Sequence, residues 1–184
     1  MEIGELLGAG RSADVYAFGE GRVLRRYRFP IDARREAEVM AYVAARGYPV
    51  PEVYPGDHGP ADLVMERLSG PTMLQAGLSG GMTPEEAGAI LAGLLRRLHE
   101  IPARASGDPG HRVLHLDLHP DNVILTARGP VVIDWSNTEE GPPALDCAMS
   151  AVILGEVAVD PAGVLAGPAR DMLAALLAGL GGSA

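Results

Sequence analysis

The sequence predicts an α+β protein with a strand-rich first third and a mainly helical remainder. Between residues 3 and 27, three short runs are separated by glycine-containing turns, as is typical of small antiparallel strands. Downstream, Thr83 and Glu86 form a capping-box signature with a proline between them, and leucines follow at helical spacing. With 184 residues, 47% of them hydrophobic, the chain can bury one core or two small lobes that share one.

The first part of the chain is expected to hold five short strands and one helix. Four of the strands are assigned to residues 3–7, 13–18, 23–27 and 63–67. The helix begins after Asp32, whose side chain suits an N-cap, and runs to about Arg46, with Gly47 just past its end. These elements form a small antiparallel sheet with one helix.

The second part is expected to be mainly helical. The helix that follows the capping box ends by Pro102, and a polar loop covers residues 104–112. Two short strands are expected near residues 123–125 and 131–133, and helices at about 144–154 and from 160 to 179 or 181. We therefore divide the chain into an N-lobe, residues 1–68, and a C-lobe, residues 69–184, which together form one catalytic domain.

Composition and charge exclude several classes of partner. The formal net charge of −9 argues against a large nucleic-acid footprint and against a polybasic membrane patch. The apolar stretches are too short to cross a membrane, and the first residues do not resemble a signal peptide. Cys147 is the only cysteine, which excludes an internal disulfide. We expect a cytoplasmic protein that binds neither nucleic acid nor a membrane.

The most informative segment runs from His115 to Asp134. It follows the pattern H-x-D-L-x-x-x-N, which is typical of a kinase catalytic loop, and then has an aspartate at the end of a short apolar run. In such a site Asp117 accepts the proton of the attacking hydroxyl, whereas Asn122 and Asp134 hold Mg²⁺ on the phosphates of ATP. The spacing therefore predicts phosphoryl transfer.

A second, weaker pattern lies near the N-terminus. Residues 8–15 approximate the glycine-rich loop G-x-G-x-x-G-x-V that covers nucleotide phosphates, with Ala13 in place of the third glycine. Gly8 and Gly10 would let backbone N–H groups approach the phosphates, and Ser12 lies in the same loop. Taken alone, this pattern is more typical of an ordinary hairpin, but its position ahead of the catalytic segment favours the phosphate-covering loop.

The third strand is where a phosphate-binding lysine is expected, but it carries none. Strand alternation makes Arg25 the best substitute, although a solvated basic strand end remains the alternative. Glu36 is the predicted partner of Arg25, because it shares an apolar helix face with Met40 and a buried carboxylate needs a cation. Glu38 is the alternative partner.

Several further residues are assigned supporting roles. His115 is expected to brace the loop by hydrogen bonds, and His119 to contact substrate or to shape the turn. Asp146, at the start of a helix, either complements the helix dipole or anchors the backbone of the catalytic loop. The backbone at Glu66 and Leu68, in the connector between the lobes, is the candidate for hydrogen bonds to the adenine edge.

Together these segments resemble the aminoglycoside phosphotransferase-like family of small-molecule kinases, which are relatives of choline and homoserine kinases. The resemblance rests on residues 35–37, 48–51, 115–122 and 133–146, and it spans residues 1 to about 155. It implies a protein-kinase-like two-lobed fold, with a small antiparallel-sheet N-lobe that carries one helix and a mainly helical, shortened C-lobe.

The same resemblance implies ATP and Mg²⁺ as cofactors, with Asp117 as catalytic base and with Asn122 and Asp134 as metal ligands. It makes Glu36 the partner of the phosphate-binding cation and Asp146 the tether of the catalytic loop. Trp135 after the metal aspartate, and the lack of room for an activation segment, favour small-molecule kinases over protein kinases.

The resemblance implies transfer of the γ-phosphate of ATP to a hydroxyl of a small-molecule acceptor, such as an aminoglycoside or an amino alcohol. Two departures leave an alternative open, a nucleotide-binding pseudokinase that acts as a regulatory or interaction module. One departure is Arg25 in place of lysine; the other is that the chain ends soon after Asp146. We therefore expect a minimal acceptor pocket, a pocket completed by a partner subunit, or a truncated chain.

Overall fold

A computed structural model describes residues 3–56 and 58–181. The described residues form two compact units that divide between Ser69 and Gly70. The predicted lobes, 1–68 and 69–184, also include residues 1, 2, 57 and 182–184, which lie outside the described residues.

The first unit contains a four-stranded antiparallel sheet and one helix. The sheet order follows the chain, with β1 (Ile3–Ala9), β2 (Ala13–Phe18), β3 (Arg22–Tyr27) and β4 (Asp62–Glu66). Helix α1 (Ala33–Ala44) begins after Asp32, whose side chain accepts a hydrogen bond from the backbone N–H of Arg34 at 3.0 Å, as an N-cap does. The N-cap prediction is confirmed because it depends only on local chemistry.

The fifth strand predicted for this part is wrong within the described residues. Between α1 and β4, Val53 makes only an isolated bridge to Met65. Pro49 and Pro51 lie within this segment, and proline has no N–H to donate to the hydrogen-bond ladder of a sheet. The segment therefore stays extended without becoming a strand.

The second unit is mainly helical. Its helices are α2 (Met73–Leu78), α3 (Pro84–Leu98), α4 (Pro143–Ala158) and α5 (Ala166–Gly179). Two short antiparallel ribbons accompany them: β5 (Arg112–Leu114) pairs with β8 (Glu139–Gly141), and β6 (Val123–Thr126) pairs with β7 (Gly129–Val132). No helix within residues 3–56 and 58–181 is long and apolar enough to cross a membrane.

Three expectations for this unit need correction. Helix α5 begins at Ala166 rather than at Asp160, because the Asp160 carboxylate accepts the N–H of Ala162 at 3.0 Å and closes a turn instead of capping a helix. Helix α2 was missed because it is short, although Thr72 and Gln75 form a capping box at its start. The β5–β8 ribbon was missed because its three-residue strands pair across a long stretch of chain.

Helices α3 and α5 pack closely against each other. A Cβ atom at Gly88 would lie 2.3 Å from the carbonyl oxygen of Met172 and 2.7 Å from Cβ of Ala175, so only glycine allows this approach. Leu91 and Leu95, one and two turns further on, are fully buried. The leucine stripe read from the sequence is thus the core face of α3.

Candidate active site

The backbone before Asp117 is held by a buried carboxylate on α4. Asp146 is fully buried, and its two oxygens accept the N–H groups of His115 at 3.0 Å and of Leu116 at 2.8 Å. Leu116 has a φ of 60°, a left-handed conformation that is costly for leucine. The carboxylate holds this strained turn in place, which agrees with the anchoring role considered for Asp146.

His99 completes this anchor and was not found from the sequence. It caps the C-terminal end of α3, and its Nε2 atom lies 3.0 Å from Oδ2 of Asp146. The pair joins α3 to α4 through a side chain that is only 10% exposed. The only signal was a histidine directly after the apolar stripe, and histidines at helix ends are common. Its partner lies 47 residues away, which no local pattern indicates.

His115 braces the loop as a neutral imidazole. Its Nε2 lies 3.0 Å from the carbonyl oxygen of Ile133, and its Nδ1 accepts the N–H of Asp117 at 3.3 Å. This pattern needs the Nε2–H tautomer, because a protonated ring could not accept at Nδ1. Complete burial, with the ring edge against Trp135, lowers the pKa of His115 despite the nearby Asp146 carboxylate. His115 therefore holds loop geometry and does not carry charge.

Asp117 and Asn122 are joined across the turn of the loop. The Asn122 side-chain amide Nδ2 lies 2.9 Å from the Asp117 carbonyl oxygen and 3.3 Å from its carboxylate Oδ2. The Asp117 side chain is 31% exposed, so its carboxylate can meet a substrate, whereas Asn122 is buried. These bonds involve Nδ2, and the amide oxygen Oδ1 of Asn122 takes no part in them.

His119 and Asp121 shape the same turn. The Nδ1 atom of His119 accepts the N–H of Asp121 at 3.3 Å, and its Nε2 lies 3.7 Å from Oδ1 of Asp117. The Asp121 carboxylate accepts the hydroxyl of Thr72 at 3.0 Å, which links the turn to the start of α2. Of the two roles considered for His119, shaping the turn has direct support in these contacts.

The β6–β7 hairpin brings Asp134 back to this loop. The N–H of Ile133 donates to the carbonyl oxygen of Asn122 at 3.0 Å, so this hydrogen bond joins one predicted metal residue to the residue directly before the other. Asp134 has a φ of 62°, a conformation that aspartate tolerates better than most residues. Its carboxylate Oδ1 accepts the Ser136 hydroxyl at 2.7 Å. The buried Trp135 fixes the turn, because its indole N–H donates to the Val132 carbonyl at 3.1 Å.

The donor set of this segment suits Mg²⁺. Within the described ranges there is no cluster of three or more His, Cys, Asp and Glu side chains that could form a protein-only metal cage. Asn122 and Asp134 instead offer an amide oxygen and a carboxylate, which are hard oxygen ligands. Mg²⁺ in phosphate-transfer sites is typically held by one or two such groups together with substrate phosphates and water. The residues present therefore fit the ion.

In the first unit, Arg25 and Glu36 form the predicted ion pair. Both side chains are buried, and Nη1 of Arg25 lies 3.2 Å from Oε1 of Glu36. Arg25 is not a solvated strand end, because β3 is flanked by β2 and β4 and its residue 25 pairs with Val15 and Leu63. Tyr27, two residues further along β3, also contacts this pair.

The other predicted nucleotide residues lie at the edges of the sheet. Gly8 belongs to β1, and Gly10 begins the turn, where its N–H donates to the carbonyl of Ala13 at 2.9 Å. Ser12 lies in this turn, which is a short hairpin connection. Neither glycine has a positive φ, so the backbone here does not distinguish a phosphate loop from an ordinary hairpin.

Glu66 ends β4 and Leu68 follows it. The Glu66 N–H donates to the carbonyl oxygen of Glu52 at 2.8 Å, so that N–H is not available to an adenine edge. A contact through Glu66 therefore has to use its carbonyl oxygen, and the N–H of Leu68 is the candidate donor.

Comparison with solved structures defines the class of fold. The chain is similar to the streptomycin–ATP–APH(2")-IIa ternary complex, with 15% identity and a TM-score of 0.60 over 96% of this chain and 77% of that one. It is similar to the gentamicin–APH(2")-IIa complex, with 15% identity and a TM-score of 0.62 over 95% and 76% of the two chains. It also resembles ADP-bound aminoglycoside phosphotransferase APH(2'')-Ib, with 14% identity and a TM-score of 0.59 over 96% and 77%.

The fold is thus the kinase-like α+β fold of aminoglycoside phosphotransferases, as the sequence predicted. The sequence itself matches the family described as the phosphotransferase enzyme family (APH) over residues 4–112 and 108–177. The chain belongs to this family. This confirms the resemblance predicted from the catalytic-loop segment, residues 115–122, and from the segment that begins with Asp134 and Trp135. No curated protein sequence matches the chain.

Proposed function

We propose that this protein transfers the γ-phosphate of ATP to a hydroxyl group of a small-molecule acceptor, with Asp117 as the catalytic base. The observation that carries the proposal is the braced catalytic loop. Asp146 and His115 fix its backbone, and Asn122 holds the Asp117 carboxylate from across the turn. Phosphoryl transfer depends mainly on positioning and electrostatic stabilisation, and a rigid loop supplies the first of these.

Each predicted residue has a role in this proposal. Asp117 orients the acceptor hydroxyl and takes its proton. Asn122, through Oδ1, and Asp134 would hold Mg²⁺, which neutralises charge on the nucleotide phosphates when bound. Arg25, fixed by Glu36, supplies a cation for the phosphates.

Backbone groups complete the proposed nucleotide contacts. The hairpin of Gly8, Gly10 and Ser12 covers the phosphates; the Gly10 N–H closes its turn on the Ala13 carbonyl, so the N–H groups of Gly8 and Ser12 are the proposed phosphate donors. The adenine edge is read by the carbonyl of Glu66 and the N–H of Leu68. The single cysteine agrees with the reducing cytoplasm as the place of action.

The acceptor is proposed to be cationic, such as an aminoglycoside or an amino alcohol. The chain carries a formal net charge of −9, and an acidic surface attracts cationic ligands. The similar solved structures are complexes of streptomycin and gentamicin with APH(2")-IIa, which gives a first acceptor panel of aminoglycosides. A partner subunit that helps to build the acceptor pocket remains part of the proposal.

The test of the nucleotide site is a thermal-shift titration with ATP, with and without Mg²⁺. A ligand that binds only the native state at a hundredfold excess over its dissociation constant stabilises it by about 2.7 kcal/mol. The matched variant is Asp134→Asn, because asparagine tolerates the left-handed backbone at this position as aspartate does. We expect a Mg²⁺-dependent shift in the wild type that is reduced or lost in the variant.

The test of the chemistry is Asp117→Asn with an acceptor panel. Turnover should fall by at least about a thousandfold, the order typical of removing a catalytic base, while ATP binding stays within a few-fold of the wild type. Asp121→Asn is the matched control, since Asp121 lies in the same turn but contacts Thr72. Equal turnover in Asp117→Asn and the wild type would refute the assignment of the base.

The second candidate is a nucleotide-binding pseudokinase, which the arginine at position 25 favours. The two candidates differ in one measurable respect. A pseudokinase binds ATP but transfers no phosphate to any acceptor, so Asp117→Asn would not change the amount of label transferred. Label from γ-³²P-ATP appearing in any small acceptor, and lost in Asp117→Asn, decides for the enzyme.

A further inference from the structure

Tyr27 contacts both members of the Arg25–Glu36 ion pair. Its hydroxyl donates to Oε2 of Glu36, while Nη1 of Arg25 lies 3.2 Å from Oε1 of the same carboxylate. The guanidinium carbon of Arg25 lies 4.9 Å from the centroid of the Tyr27 ring. All three residues are buried, at 6% relative exposure each. They form a cluster in which the Tyr27 hydroxyl contacts the Glu36 carboxylate and the Tyr27 ring contacts the Arg25 guanidinium.

The position of Tyr27 follows from strand geometry. Residues 25 and 27 of β3 point to the same face of the sheet because side chains alternate along a strand. Both pair with β2, where Tyr27 faces Ala13 and Arg25 faces Val15, so the backbone spacing between them is fixed. Helix α1 then brings Glu36 to this face.

From this arrangement we infer that Tyr27 is a positioning residue that aligns Arg25 for a nucleotide phosphate; the inference rests on the proposed ATP-dependent function. Arginine has a long side chain with several rotatable bonds and a planar fork, unlike a compact ammonium group. The Tyr27 ring lies beside the guanidinium, and its hydroxyl is bonded to the same carboxylate, so the ring limits how the fork can turn.

The cluster also explains how arginine serves where lysine is expected. A buried carboxylate is stable only when its oxygens are hydrogen-bonded, and here the Tyr27 hydroxyl bonds one oxygen while Arg25 bonds the other. Removing the hydroxyl leaves a buried oxygen of Glu36 without this donor, and the carboxylate can then draw the guanidinium toward itself. The phosphate would lose alignment with the cation even though the cation remains.

The test is the dissociation constant for ATP and for adenosine in Tyr27→Phe, measured by calorimetry and by competition. The variant keeps the ring and removes only the hydroxyl. We expect the ATP dissociation constant to rise about tenfold, which corresponds to about 1.4 kcal/mol. Adenosine, which has no phosphate, should bind within about twofold of the wild-type value. Tyr42→Phe is the matched control, since the Tyr42 ring also carries a guanidinium, that of Arg46 at 3.5 Å, and should leave both constants unchanged.

A second comparison shows whether the effect passes through Arg25. In an Arg25→Met/Glu36→Gln background both charges are removed together, so neither is left buried and unpaired. There, adding Tyr27→Phe should change the ATP dissociation constant by less than about twofold. If Tyr27→Phe does not give a cooperative melting transition, Tyr27→Leu, which also removes the donor to Glu36, takes its place in both comparisons with the same expected direction of change.

The outcomes separate the two proposals. Equal losses for ATP and adenosine, or equal effects in both backgrounds, mean that Tyr27 only stabilises the unit, and they overturn the positioning role. Wild-type affinity in Tyr27→Phe overturns it as well, while the nucleotide proposal stands. A wild-type protein that does not bind ATP overturns the nucleotide proposal and this inference with it.

Discussion

Replacing Asp146 by asparagine should loosen the catalytic loop with little change in side-chain volume. The carboxylate accepts three hydrogen bonds, from the N–H groups of His115 and Leu116 and from Nε2 of His99. An asparagine has one acceptor oxygen. If that oxygen takes the position of Oδ2, the amide NH₂ faces the Leu116 N–H, and two donors then oppose each other.

The expected magnitude follows from these contacts. A hydrogen bond to a charged group contributes about 1.5–3 kcal/mol, and a buried N–H left without a partner costs about 1–3 kcal/mol. Release of the left-handed Leu116, a conformation that costs about 1–3 kcal/mol, returns part of that loss. We therefore expect the free energy of unfolding to fall by about 2–3 kcal/mol and the melting temperature by about 5–10 °C.

The assay is urea unfolding at pH 7 together with hydrogen exchange at the amides of residues 115 and 116. Exchange at Leu116 should speed up at least about tenfold, since each 1.4 kcal/mol of lost protection is a factor of ten. Asp121→Asn is the control, because its exposed carboxylate accepts one neutral hydroxyl and its loss should stay within about 0.5 kcal/mol. Equal stability and equal Leu116 exchange in Asp146→Asn and the wild type would refute the anchoring argument.

Three further predictions concern pH and packing. Burial lowers the pKa of His115, so at mildly acidic pH the unfolded chain binds a proton that the native state does not. The free energy of unfolding should therefore fall as the pH drops below about 6.5, by up to about 1.4 kcal/mol per pH unit. Urea titrations at several pH values should show a flatter slope for His115→Asn. Burial opposes ionisation of Glu140, but hydrogen bonds from the N–H groups of residues 104–106 outweigh it and lower the pKa of this carboxyl. Glu140→Gln should lower the free energy of unfolding by about 1 kcal/mol at pH 7. Chemical unfolding should show that the stability difference between wild type and variant shrinks as the pH falls through the depressed pKa, below 4.5. Gly88→Ala should lower the melting temperature, because the added Cβ clashes with α5 at a cost of about 1–3 kcal/mol. The control is Gly93→Ala on the same helix, where a Cβ meets nothing within 4 Å and should raise stability by up to about 1 kcal/mol. A Gly88→Ala protein as stable as the wild type would contradict the close approach of α3 and α5.

Local signals predicted the parts of the fold that local chemistry controls. The caps at Asp32 and Thr83 are present as expected, because an N-cap depends on residues within one turn. Strand β2 was placed at its observed bounds, since glycine turns flank it. The start of α5 was misplaced at Asp160, because an aspartate before a proline can close a turn or cap a helix, and packing selects between them.

The sequence alone determined which residues carry the proposed chemistry and which family the chain belongs to. One loop contains Asp117 and Asn122, and one hairpin connects Asn122 to Asp134. Because both connections are short and local, the spacing of these residues in the sequence reflects their proximity in the structure.

Only the tertiary structure identified the groups that hold these residues in place. His99 reaches Asp146 across 47 positions, and Tyr27 joins Glu36 from a neighbouring element. Such contacts depend on how helices and strands pack, and a histidine or tyrosine that makes them looks in sequence like one that does not. The left-handed turn at Leu116 was equally invisible, because leucine adopts it only where the surrounding hydrogen bonds impose it.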